Sequence, residues 1–166
     1  MQADDRRIGA RLNIQDVVRA RWQAVDDLDE FARSFADALF TAAPDLRDHA
    51  RAEKGVLLID LKPGLVRPDC KFWISTDDGE ITVGFGMFHI HFDWPVRDDV
   101  WPSDPIKFIL SVMSDETLIE DWTLDGKWSG SHILEATGEP DLGGMKPGHV
   151  VYIRSWSGVR DRTIRG

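Results

Sequence analysis

Lys71-Phe72-Trp73-Ile74-Ser75-Thr76-Asp77-Asp78-Gly79-Glu80-Ile81-Thr82-Val83-Gly84-Phe85 consists of two alternating runs joined by an Asp-Gly pair. Alternation at period two marks half-buried strands. An Asp-Gly pair between such runs predicts a type I′ hairpin, because both central residues must take positive φ. Neighbouring strands are thus antiparallel here, and the chain does not read as alternating βαβ units.

The next residues are Gly86-Met87-Phe88-His89-Ile90-His91-Phe92-Asp93-Trp94-Pro95. On an unbroken strand Ile81, Val83 and Phe85 would share a face with His89, His91 and Asp93. The apolar side therefore changes parity between Gly84 and Gly86. A one-residue bulge restores a continuous core face through Phe88, Ile90 and Phe92, and it turns His89, His91 and Asp93 outward. A bend between two sheets accounts for the same pattern.

Upstream, Asn13 is a candidate N-cap for a helical repeat of Ile14, Val17, Val18, Trp22 and Val25. The acidic run Asp26-Asp27-Leu28-Asp29-Glu30 suits the positive end of a helix dipole. It opens a second stripe of Leu28, Phe31, Ala32, Phe35, Ala38 and Leu39, which Pro44 closes. Residues 45–53 are expected to add a turn of helix, and the apolar run at 56–61 a strand. Downstream, Asp104 or Ser103 caps a mid-chain helix with Pro105 at its first position and a stripe of Ile106, Phe108, Ile109, Val112 and Met113. A second Asp-Gly pair, Asp125-Gly126, joins strands at 117–124 and 127–136. Residues 137–148 form a loop, residues 149–156 a last strand, and the chain from Gly158 a basic tail. The expected class is α+β: an antiparallel meander of about six strands, with an N-terminal helical segment and one mid-chain helix packed on it. The 166 residues fit one domain, with 1–12 and 159–166 expected to be flexible.

The composition, 42% hydrophobic with 30% charged, is that of a soluble globular chain. No apolar run approaches the roughly 18 residues of a membrane span, and the N-terminus lacks the apolar region of a secretory signal. Cys70 is the only cysteine, so no internal disulfide forms, and a cytoplasmic setting is expected. The net charge of −9 is unevenly spread. Residues 77–125 hold twelve acids against Arg97 and Lys107, whereas residues 142–166 hold five bases against Asp161. Such a middle repels nucleic acid and suits a basic protein, whose encounter it accelerates by electrostatic steering. Trp94 and Trp101 flank the acidic loop, and tryptophan is enriched at binding hot spots. The candidate partner-binding set is therefore Asp93, Trp94, Asp98, Asp99, Trp101, Asp104, Glu120 and Asp121.

An alternative assigns His89, His91 and Asp93 to a metal-dependent enzyme, since imidazoles at i and i+2 with a carboxylate at i+4 share one strand face. His132, His149 or Glu120 would have to complete such a site. Ser129-Gly130-Ser131-His132 is not a nucleophile elbow, and neither Gly84-Phe85-Gly86 nor Gly143-Gly144 has the lysine and helix of a phosphate loop. Cys70 reads as inert. No catalytic constellation and no cofactor are expected.

Phe88-His89-Ile90-His91-Phe92-Asp93-Trp94, Asp125-Gly126-Lys127-Trp128-Ser129-Gly130-Ser131 and Tyr152-Ile153-Arg154-Ser155-Trp156-Ser157-Gly158 resemble segments of small bacterial proteins. Some of these are similar to the immunity proteins of polymorphic and contact-dependent toxin systems. The resemblance spans about the C-terminal two-thirds. It implies an acidic cytosolic domain that binds and blocks a basic toxin domain, and it carries no site residues.

Overall fold

The computed structural model describes residues 27–61, 70–97 and 101–166. The class is α+β, and the nine strands among the described residues are divided between two antiparallel sheets rather than joined in one. The first helix, α1 (Glu30–Ala42), starts where the acidic run ends. The Asp29 carboxylate accepts from the Ala32 amide at 2.8 Å, satisfying one of the donors that a helix start leaves open. Its buried stripe is Ala32, Phe35, Ala36, Leu39 and Phe40. Pro44 begins a short 3-10 turn, Pro44–His49. The helical repeat from Asn13 to Val25 lies outside the described residues.

The first sheet is a meander of β1 (Ala50–Glu53), β2 (Val56–Leu61), β3 (Phe72–Ser75), β4 (Ile81–Phe85) and β5 (Phe88–Phe92), in that order. β1 corrects the expectation of helix up to residue 53. Lys54 and Gly55 both take positive φ, 52° and 90°, and they fold Glu53 back onto Val56. Pairing with β2 turns Ala50 and Ala52 toward the core and overrides the helix propensity of alanine and glutamate. The Asp78-Gly79 turn has the expected conformation, with φ of 54° and 73° and the Glu80 amide on the Asp77 carbonyl.

The predicted bulge near Gly84 is a chain reversal instead. Phe85 pairs with Phe88 across Gly86 and Met87, and Gly86 alone of the two has positive φ, 67°, as in a type II′ turn. Cross-strand partners share a face. A two-residue loop makes their numbers differ by three, so the parity of the apolar residues flips just as it would at a bulge. His89 and His91 do face outward, as expected. Gly84 has a packing reason of its own: a Cβ there would stand 2.1 Å from Trp73 Nε1, because the Trp73 indole lies across it.

The inner face of this sheet packs on α1 and on α2 (Pro105–Met113), and Phe35, Phe72, Phe85 and Phe108 are fully enclosed. Asp104 caps α2 through the Ile106 and Lys107 amides at 2.9 and 3.1 Å, with Pro105 at the first position as the sequence implies. The second sheet has the order β7 (Lys127–Glu135), β6 (Thr117–Leu124), β8 (His149–Arg154), β9 (Arg162–Arg165). β6 and β7 turn on Asp125 and Gly126, at φ 49° and 77°. The basic tail is the edge strand β9, paired with β8 from Val150 to Ile153. Asp161 holds the connection by accepting from the Ser155 amide and hydroxyl at 2.8 and 3.0 Å. Leu118, Val151 and Ile153 form a smaller core on one side of this sheet, and Ile119 on the other joins the main core.

Gly84→Ala is expected to displace the Trp73 indole and to destabilise the protein by about 1–3 kcal/mol in urea titrations. Combined with Trp73→Ala it should cost less than the sum of the two single changes, since the clash needs both side chains.

Candidate partner-binding surface

Antiparallel registry decides which acids meet. The turns after β1 and β3, the end of β5 and the start of α1 all lie at one end of the five-stranded sheet. The Asp29 amide donates to the Gly55 carbonyl at 2.9 Å, which ties the helix to the first of these turns. Asp27, Asp29, Glu30, Glu53, Asp77, Asp78, Glu80 and Asp93 are exposed there, together with the bases Arg33, Lys54 and Arg97. Asp93 lies 4.0 Å from Arg97 Nε, a long pairing. This acidic end draws on residues 27–53 as well as on the acidic middle of the chain.

Trp101 lies nearby. It is 48% exposed, and its ring leans on Phe108 at 6.2 Å. Together with His91, Phe92, Asp93, Arg97 and Ser103 it borders a hollow of about 320 Å³. Of the predicted set, Asp93 and Trp101 therefore share one surface. Asp104 stands at the base of α2 as its cap, 3.6 Å from Lys107 Nζ. Asp98 and Asp99 lie outside the described residues.

Three of the predicted residues are corrected. Trp94 is half-buried against Phe35 at 5.4 Å and donates its indole N–H to Ser34 Oγ at 3.2 Å, so it fastens the end of β5 to α1. Glu120 and Asp121 are only 5% and 2% exposed. Successive residues of β6 point to opposite faces, and both faces are covered. Glu120 accepts from the Trp122 indole. Asp121 accepts from Ser131 Oγ at 2.5 Å and from the Met87 amide, and Ser131 in turn accepts from the Trp128 indole at 2.9 Å. Burial raises the Asp121 pKa above its ordinary 3.8, against the opposing effects of Ser131, the Met87 N–H and Arg154. On the outer face of the first sheet, Asp60 is shifted the other way. The Lys71 ammonium, 2.9 Å away, lowers its pKa most, partial burial opposes this, and Arg51, also at 2.9 Å, adds to the lowering.

The histidines stand apart from these carboxylates. The rings of His89 and His91 meet edge to face at 5.5 Å, and His91 Nδ1 is 3.1 Å from both Glu80 Oε2 and Thr82 Oγ1. β5 ends at Phe92, so Asp93 leaves the strand and turns toward Arg97. His149 accepts from the Lys146 amide, beside Trp122. Among the described residues no three His, Cys, Asp or Glu side chains come together in a way that could hold a metal ion. Nor, among them, is any helix long and apolar enough to cross a membrane.

Sequence reasoning passed over Asp27, Asp29, Glu30 and Glu53 as surface acids, and Leu110, Glu116 and Glu135 beside α2. Leu110 left a trace as the one large apolar residue off the stripe of its helix, and Glu116 as one of the acids counted in residues 77–125. No protein-family model, curated protein or solved structure matches the chain.

Because the folded pKa of Asp121 is raised, its stabilising contribution is complete below the unfolded value of 3.8 and is lost as pH rises through the folded pKa. Asp121→Asn removes that titration. In urea titrations from pH 7 to pH 4, wild type should therefore gain stability relative to the variant as pH falls. A gap that stays constant with pH would contradict the burial effect. At pH 7 Asp121→Ala should cost more than Asp121→Asn, about 1–3 kcal/mol, because it leaves the Met87 N–H and the Ser131 hydroxyl without an acceptor.

Proposed function

We propose that this protein is a non-enzymatic binding module for a basic protein, acting as a bacterial immunity-type protein that neutralises a toxin domain. The observation that carries the reading is the gathering of eight exposed acids at one end of the five-stranded sheet, next to the exposed Trp101. An arrangement of this kind divides the work of binding. Long-range attraction orients a cationic partner and speeds encounter, and a desolvated aromatic anchor slows dissociation. Rigid elements hold both parts: Asp29 and Glu30 belong to a capped helix start, Asp78 to a two-residue turn, and Trp101 leans on a buried phenylalanine. Preorganisation of this sort lowers the ordering cost of association.

The metal-dependent alternative finds no support in the geometry around His89 and His91. The acidic-surface reading also fits the implication of the resembling segments, a domain that blocks a basic toxin.

The test is capture by the full-length protein of the product of the adjacent upstream gene, with association rates measured at low and physiological salt. Binding should weaken with salt, and an Asp77→Lys, Asp78→Lys, Asp93→Lys triple variant should associate at least about tenfold more slowly. Trp101→Ala should act mainly on dissociation. If the partner binds the triple variant as fast as wild type, or no basic neighbour exists, the reading fails.

A further inference from the structure

We infer that the trough between α2 and the start of the β6–β7 pair receives one short segment of the partner, an apolar side chain followed by a basic one. The inference rests on the basic-partner reading and specifies what that partner presents. The trough encloses about 670 Å³, and Trp101 lines both it and the hollow by Asp93. One wall is the solvent side of α2. There Leu110 is 37% exposed, although the opposite stripe of the same helix is fully buried. The far wall is the paired residues Thr117 and Glu135 with Glu116, and the Thr117 hydroxyl closes the floor by donating to Ser111 Oγ at 2.9 Å.

Charge is divided along this trough. Among the described residues that line the Trp101 end the ion is Lys107, whose ammonium is matched by Asp104 at 3.6 Å, beside an apolar seat made by the exposed indole and Leu110. At the other end Glu116 and Glu135 are exposed, and among the described residues neither has an ion-pair partner. The Ala136 amide donates to the Glu116 carbonyl at 3.0 Å, which continues the pairing of the two strands one step past Thr117 and Glu135, and both glutamates line the trough. An apolar seat beside two unneutralised carboxylates complements an apolar side chain beside a cation, and a neutral or acidic segment would leave those carboxylates facing nothing or a like charge. The spacing follows from the helix. From Lys107 to Ser114 the axis rises about 10 Å, a length that an extended segment covers in about three residues. The recognised pattern is thus a Trp or Leu side chain two or three positions from an Arg or Lys.

The experiment titrates isotope-labelled full-length protein with synthetic octapeptides, each carrying one tryptophan and two arginines at offsets of one to five. Glutamate and glutamine replace the arginines in control peptides. The expected result is a salt-sensitive shift of the Trp101 indole and of the Leu110, Ser111, Glu116 and Glu135 amides, strongest at offsets two and three. Glu116→Lys with Glu135→Lys should weaken binding at least about tenfold, as expected when an attractive charge pair becomes repulsive. Asp77→Lys with Asp78→Lys, at positions that do not line the trough, should change it less than about twofold. Thermal melts matching wild type would show that both variants fold. Shifts confined to the acidic end, equal losses in the two double variants, preference for the uncharged controls, absence of peptide binding, or concentration-dependent shifts of the protein alone would each overturn the assignment. These outcomes do not bear on whether a basic partner is captured through the acidic end, which the association measurements decide separately.

Discussion

At Gly86 and Met87 the chain reverses within two residues, and the buried carboxylate of Asp121 closes on that turn from the neighbouring sheet. A Cβ on Gly86 would come within 3.3 Å of that carboxylate and 3.4 Å of Cys70 Sγ, so the small residue serves both the turn and the approach. The contact fixes β5 beside β4, which sends Phe88 and Phe92 inward and His89 and His91 outward. It also seats β6 against the first sheet. Trp156, from the end of β8, reinforces the same junction by meeting Phe72 edge-on at 5.2 Å and stacking near Phe85 at 6.3 Å. Burying a carboxylate is costly unless its acceptors are used, and here two protein donors use them.

With that junction in place, the two helices enclose the core from one side and leave distinct surfaces. α1 brings its acidic start to the sheet end where the β3–β4 turn and Asp93 emerge. α2 buries Phe108, Ile109 and Val112 and leaves Leu110 beside Glu116 and Glu135. Trp101 lies where these two surfaces meet. A broad field for encounter next to a narrow seat for one side chain is the usual division in charged protein interfaces. At the last strand and the turn before it, Arg162 pairs with Glu139 at 3.0 Å and Arg160 donates to the Ala136 carbonyl at 3.0 Å.

Several features needed only local chemistry to be read. Asp78-Gly79 and Asp125-Gly126 announced hairpins because positive φ at two successive positions admits few residues. The acidic run ending at Glu30 announced one helix start through the dipole, and Ser103-Asp104 announced the other because a short acceptor satisfies the free amides of a first turn; Asp29 and Asp104 are the residues that cap them. The parity change near Gly84 was legible as well, yet its cause was not, because a bulge and a two-residue reversal shift the pattern identically. β1 escaped notice for another reason. Its residues carry no strand preference, and only pairing across Lys54-Gly55 makes them a strand.

The acidic middle of the chain was visible as a count, but a count has no direction in space. Glu120 and Asp121 belong to it by position and are removed from the surface by β6, covered on both faces. Glu53, Asp27 and Glu30 lie outside it by position; Glu53 joins it through antiparallel registry, and the other two through the hydrogen bond that ties the Asp29 amide to Gly55. By itself, then, the sequence determined the two Asp-Gly turns, the starts of the two described helices, the outward histidines and the α+β class, all of which rest on period and on constraints spanning a few residues. Only the tertiary structure decided that there are two sheets, which carboxylates share a surface, and that Trp94 is structural while Trp101 is presented. Those outcomes depend on which distant segments pack together, and packing is set by pairing and burial across the whole chain.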